Sequence, residues 1–226
     1  MRVHRWKSAT VFAVGHSTRA FEDFVSLLWA HGVATVVDIR KMPRSRTNPQ
    51  FNSEALVKTL PTVGIRYLHL AKLGGLRKKG VVTSSTNAAW RNASFRAYAD
   101  YMQSEEFEDG LAELHEQLLL GPPALMCAEA LRWRCHRSLV ADALVARGAE
   151  VMHLESVTRA TPHRLTAFAR VRRGRVTYPV DESPSPVRAS VVGSARMFDG
   201  AAAQGMSKAR TATASRGTRM APGSRR

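Results

Sequence analysis

The chain has 226 residues, of which 44% are apolar, with two cysteines and a formal net charge of +16. That length suits one ordinary domain plus an appendage, and no apolar run approaches the roughly 20 residues that span a bilayer. Two cysteines exclude a disulfide framework. The basic start at residues 1–8 is followed by no apolar stretch of signal-peptide length, so the expectation is a cytoplasmic protein with no membrane partner.

Charge is unevenly spread. Residues 1–158 carry 20 basic and 15 acidic side chains, a balance of +5, and residues 159–226 carry 14 and 3, a balance of +11. A basic extension of this kind either contacts a polyanion such as nucleic acid or is a solvated tail.

In chain order, residues 10–14 form a short apolar run that ends in Gly15 and reads as a strand. Ser17 and Thr18 offer a cap for a helix carrying Phe21, Phe24, Leu27 and Leu28, which Gly32 stops. The β-branched run 33–39 suits a strand buried on both faces. A polar loop with two prolines follows, then a helix to about residue 60 capped by Asn52 or Ser53, and a strand at 65–70. A long Gly- and Lys-rich loop runs from Leu73 through Asn87, of the kind that is often functional. Helices are predicted at 94–103 and 105–120, a strand at 124–127, a helix at 135–147 and a last strand at 150–154. Residues 164–178 are read as a further helix and a basic strand. From Asp181 onward few large apolar residues remain, which predicts disorder.

The alternation predicts an α/β fold: a single Rossmann-like domain with a mostly parallel sheet and helices on both faces, plus a basic disordered C-terminal tail. The expected division is a domain over 1–158, a basic extension over 159–180 that can be ordered in part, and a tail over 181–226.

Ligands of open parallel sheets bind at the carboxyl ends of strands. Reactive side chains fall there four times: at Gly15-His16-Ser17, at Asp38-Ile39-Arg40, near His69, and at Cys127-Ala128-Glu129 with Cys135-His136-Arg137 beyond. His16 and Ser17 either cap a helix or hold an anion at its N-terminus. Asp38 either orders its loop or orients His16 or Arg40. Arg40, Arg44 and Arg137 are candidate anion binders, with a solvated basic loop as the competing view of Arg40, Arg44 and Arg46. Cys135 at a helix start beside His136 and Arg137 is expected to carry a lowered pKa and act as nucleophile, and Glu129 to act as acid or base. Cys127 is a second candidate for the chemistry or a small buried hydrophobe. A metal held by Cys127, Cys135 and His16 or His136 is a further alternative, and nothing in the residues names a cofactor.

The motifs Val14-Gly15-His16-Ser17-Thr18-Arg19, Val37-Asp38-Ile39-Arg40, Pro43 to Phe51, Leu73-Gly74-Gly75-Leu76-Arg77, Tyr98-Ala99-Asp100-Tyr101-Met102, Met126-Cys127-Ala128-Glu129 and Cys135-His136-Arg137 resemble the DUF488 family. The resemblance runs from about residue 11 to 154. It implies a compact α/β fold with a shared site, and names no reaction.

From these residues the expected function is an enzyme acting on an anionic substrate, phosphorylated or nucleotide-like. The alternatives are a nucleic-acid-associated module, for which Trp90 and Tyr67 are the only obvious stacking positions near basic loops, and a metal-dependent protein with Cys and His ligands. Oligomeric state is not readable.

Overall fold

The computed structural model describes residues 6–77 and 86–180. The predicted tail and part of the long loop after Leu73 lie outside the described residues. Strands β1 (Thr10–Gly15), β2 (Thr35–Asp38), β3 (Arg66–His69), β4 (Pro123–Cys127), β5 (Glu150–Ser156) and β6 (Arg159–Pro162) form one sheet in the order β3-β2-β4-β1-β5-β6. Every pairing among the first five is parallel, and β6 runs antiparallel to β5. The fold is thus mixed α/β with a mostly parallel six-stranded sheet.

Alternate strand residues point to opposite faces, and the core divides accordingly. Val11, Ala13, Val37, Ile39, Leu125 and Val151 pack with apolar residues of α3 (Ala93–Tyr101), α4 (Glu105–Gln117) and α5 (Arg137–Val145). Val14, Val36, Ala124 and Met126 pack with α1 (Phe21–Ala30) and α2 (Ser53–Thr62). β2 and β4 are buried along their whole length, which is why they read as continuous apolar runs.

Three expectations change. The first helix begins at Phe21, with Ala20 at its cap position and no side-chain cap. Ser17 instead adopts a φ of 51°, and its N–H bonds to Ala128 O at 3.0 Å. Asn52 does stand at the cap of α2, but its Oδ1 accepts from the N–H of Ser45 at 2.6 Å rather than from the helix. Residues 164–178 form no helix. They give strands β7 (Arg170–Arg172) and β8 (Arg175–Thr177), joined by Arg173 and Gly174 at φ 51° and 76°. Two successive positive φ values are the signature of the two-residue hairpin turn whose twist matches its strands.

Residues 159–180 return to the domain. Val176 and Tyr178 are buried in the first core cluster. The carboxylate of Asp142 on α5, fully buried, accepts from His163 Nε2, from Thr166 N–H and Oγ1, and from Tyr178 OH.

Candidate active site at the carboxyl edge of the sheet

The strand order β3-β2-β4-β1 sets β4 between β2 and β1, so all four reactive strand ends lie side by side. Gly15 pairs with Cys127, and Asp38 with Met126. The ladder continues past the strands: His16 N–H bonds to Cys127 O at 3.0 Å and Ile39 N–H to Met126 O at 3.0 Å. Gly15 is required by this closeness, because a Cβ there would stand 2.0 Å from the backbone oxygen of Glu129.

Cys127 and Cys135 are both buried free thiols. Their sulfurs and a ring nitrogen of His136 all lie within 4.8 Å of one another. His136 Nε2 donates to Ile39 O at 2.9 Å, since a carbonyl can only accept. This leaves Nδ1 on the sulfur side, 3.8 Å from Cys135 Sγ. The N–H of Arg137 donates to Cys135 Sγ at 3.4 Å, and the N–H of Glu129 to Cys127. The Cys135 thiol donates to Cys127, whose pKa is pulled down chiefly by that bond, against the opposing effect of burial. Cys135 is pushed up, because it supplies the shared proton and is buried. Cys127 is thus the sulfur drawn toward the thiolate, while Cys135, expected from its place at a helix start to be the activated thiol, is pushed the other way. Such a centre can attack an electrophile or hold a soft metal ion.

The imidazole is fixed from several sides. Tyr98 meets it edge-on with centroids 5.1 Å apart and anchors its own hydroxyl on Leu73 O at 2.7 Å. Gly75 lies against the ring, where a Cβ would come within 2.8 Å of Nδ1. Arg77 stacks 3.4 Å above the Tyr101 ring and donates to the carbonyls of Ala71, Lys72 and Gly74, which holds this glycine loop in place.

A pocket of about 400 Å³ opens over the centre, with Cys127, His136 and Tyr98 on its surface and Lys41, Arg44, Glu129 and Arg134 among the residues around it. Cys135 does not line it. Among the described residues Lys41 and Arg134 make no ion pair, whereas Arg44 is bound to Glu54 at 2.6 Å. Met42, Leu76 and Phe95 add apolar surface.

With this geometry in hand, comparison with known families is decisive on one point. The model of the domain of unknown function DUF488 matches residues 20–144, more than half of the chain. The chain belongs to the DUF488 family. No curated protein and no solved structure matches it. The matched span of this DUF488 chain holds Asp38, Arg40, Cys127, Cys135 and His136, while Gly15 and His16 precede it.

Asp38, Arg40 and His16 form a buried group behind the pocket. Asp38 accepts from Arg40 Nε at 2.8 Å, from Arg40 NH2 and from Tyr67 OH at 2.8 Å. Arg40 also donates to Phe51 O at 2.6 Å and to His16 Nε2 at 3.2 Å. His16 Nδ1 donates to Ser17 O at 2.9 Å and its ring stacks on Phe51. Burial lowers the pKa of His16, so it stays neutral, and burial with the Asp38 charge raises that of Tyr67. His16 thus has both nitrogens engaged and is no metal ligand. Arg40 is largely spent on Asp38, His16 and Phe51, although it reaches the pocket wall.

Arg137 does not meet the expectation of an anion binder at this pocket. It is buried, with NH1 on Val14 O at 2.6 Å and NH2 on Glu129 O at 3.2 Å, and it ties β1 to the loop after β4. Ser17 likewise lies outside the pocket. The glycine loop, Tyr98, Tyr67 and Phe51 are the contributors that residue-by-residue reasoning missed. Their signal was the motif Leu73 to Arg77 and the aromatic ends of two others. Trp90 is packed against Phe95, Phe168 and Tyr178 rather than offered for stacking.

Proposed function

We propose that this DUF488 protein is an enzyme that acts on an anionic substrate, phosphorylated or nucleotide-like, in the pocket at the carboxyl edge of the sheet. One observation carries the reading: a Cys127–Cys135–His136 centre, its two sulfurs buried, underlies a pocket lined by Lys41 and Arg134, which make no ion pair among the described residues. Long basic side chains there can bind an anion's oxygens while Cys127, the sulfur on the pocket surface, meets the reacting group. Glu129 is exposed, and its carboxylate has no partner among the described residues, so it is the group available for proton transfer. Asp38, Arg40 and His16 position the floor rather than touch substrate.

We read the parallel strands as Rossmann-like in the sense that matters for function, a ligand crevice outside the carboxyl ends where the chain changes direction in the sheet. Two reduced thiols in contact suit a reducing cytoplasm.

The test is a turnover screen over phosphomonoesters and nucleotides with the wild type, Cys127→Ser, and Lys41→Ala combined with Arg134→Ala. The expected outcome is loss of kcat for the first variant, and for the second a KM raised by about tenfold or more per lost contact worth about 1.4 kcal/mol, with kcat largely kept. Turnover indifferent to all three residues, in variants that remain folded, sinks the proposal.

A further inference from the structure

We propose that Cys127, Cys135 and His136 together bind one divalent ion of the zinc class, leaving a fourth coordination position open to the pocket. The donors are two sulfurs and one imidazole nitrogen, a soft set that favours zinc over magnesium or calcium. Their spacing fits. Bond lengths of about 2.3 Å to sulfur and about 2.0–2.1 Å to nitrogen place the ligand atoms of a tetrahedral ion about 3.6–3.8 Å apart. Cys135 Sγ and His136 Nδ1 are 3.8 Å apart, and all three atoms lie within 4.8 Å of one another.

The surroundings are those of a ligand set. A metal-bound histidine usually gives its other ring N–H to a carbonyl or carboxylate, which fixes both tautomer and ring orientation. His136 does this through Nε2 to Ile39 O, so Nδ1 presents its lone pair to the sulfurs. Gly75 and Tyr98 confine the ring. Each sulfur already accepts one backbone N–H, from Glu129 for Cys127 and from Arg137 for Cys135. His16 is excluded as a fourth ligand because its Nε2 accepts from Arg40.

Cys127 and His136 line the pocket and Cys135 lies behind them, so the remaining vertex faces the pocket. Three protein ligands with one open position is the arrangement of catalytic zinc, where the ion polarises a bound oxygen. An oxygen of water or of the anion fills that position; this last step rests on the anionic substrate proposed above, with Cys127 a ligand rather than the attacking sulfur while zinc is bound, whereas the three-ligand site does not. Uptake of the ion requires both sulfurs as thiolates and so releases thiol protons.

The experiment is metal analysis of the full chain purified without chelator and then incubated with zinc, followed by exchange into cobalt. The expected result is about one zinc per chain, a thiolate-to-cobalt charge-transfer band, and zinc affinity at least tenfold weaker in His136→Gln and Cys135→Ser. Because either variant risks misfolding, the wild type supplies a second measurement: zinc slows iodoacetamide labelling of both cysteines, and chelator restores it. Less than a tenth of an equivalent of zinc, with labelling rates unchanged by zinc, overturns the site. Inorganic phosphate that binds the metal-free protein under those circumstances leaves the pocket reading standing alone. Stoichiometric zinc in a protein that binds neither phosphate nor nucleotides keeps the metal site and removes the anionic-substrate reading.

Discussion

Gly75 shows how much of the site depends on an atom that is not there. Its missing Cβ leaves room for His136, whose ring cannot swing away because Ile39 O holds one edge and Tyr98 closes another side. Gly75→Ala is therefore expected to cost about 1–3 kcal/mol of stability from overpacking, and to displace Nδ1 from the sulfurs. Thermal denaturation and the alkylation rate of Cys127 check this; unchanged values for both would contradict the packing argument. A second residue-scale prediction concerns pH. Burial holds the pKa of His153 down to about 3 from the usual 6.5, aided by the charges of His163, Arg132 and Arg137. The unfolded chain takes up a proton near pH 6.5 that the folded chain refuses, so the folded state loses ground as pH falls below 6.5 toward 3, and this contribution is intact above 6.5. Melting temperature should fall with acidification over that window, and the slope should be shallower in His153→Gln. Equal slopes would sink the assignment. At this scale the sequence was legible where a residue type has few uses, as with Cys127, Cys135 and His136 after an apolar run. It was misleading for Arg137, since nothing in a string distinguishes a guanidinium aimed at backbone carbonyls from one aimed at a ligand.

At the scale of elements, the parallel strands were readable because burial on both faces leaves continuous runs, as in Val36-Val37 and Ala124 to Cys127. What could not be read was their order. Nothing local says that β4 inserts between β2 and β1, yet that insertion brings Cys127 between Gly15 and Asp38. The glycine loop at residues 73–77 was noticed for its length and composition, but its role depends on tertiary contact with His136. The false helix at 164–178 has a local explanation. The turn at Arg173-Gly174 carries the stronger signal, a hairpin that sends the chain back along itself. The missing cap at Ser17 is similar: a serine before an apolar helix is a common cap, but here the backbone is drawn to Ala128 O instead.

For the whole molecule, the question is where the folded unit ends. The charge balance changes near residue 158, but the packing does not. Residues 159–180 carry six of the arginines and no acidic residue, and they still deliver Val176 and Tyr178 to the core. They also supply His163, Thr166 and Tyr178, whose four hydrogen bonds to Asp142 keep its buried carboxylate satisfied. A chain ending at 158 would leave that carboxylate on α5 without these partners, a cost of about 3–5 kcal/mol for a buried charge left unpaired, on top of the apolar surface uncovered around Tyr178. Since domains have only about 5–15 kcal/mol in hand, this loss is a large share of the total. Residues 1–158 alone should therefore show no cooperative thermal transition, whereas residues 1–183 should melt cooperatively near the temperature of the full chain. Circular dichroism on the two truncations decides it. Matching melting curves would mean that Asp142 finds other partners, and that the basic segment is an addition to the domain rather than part of it.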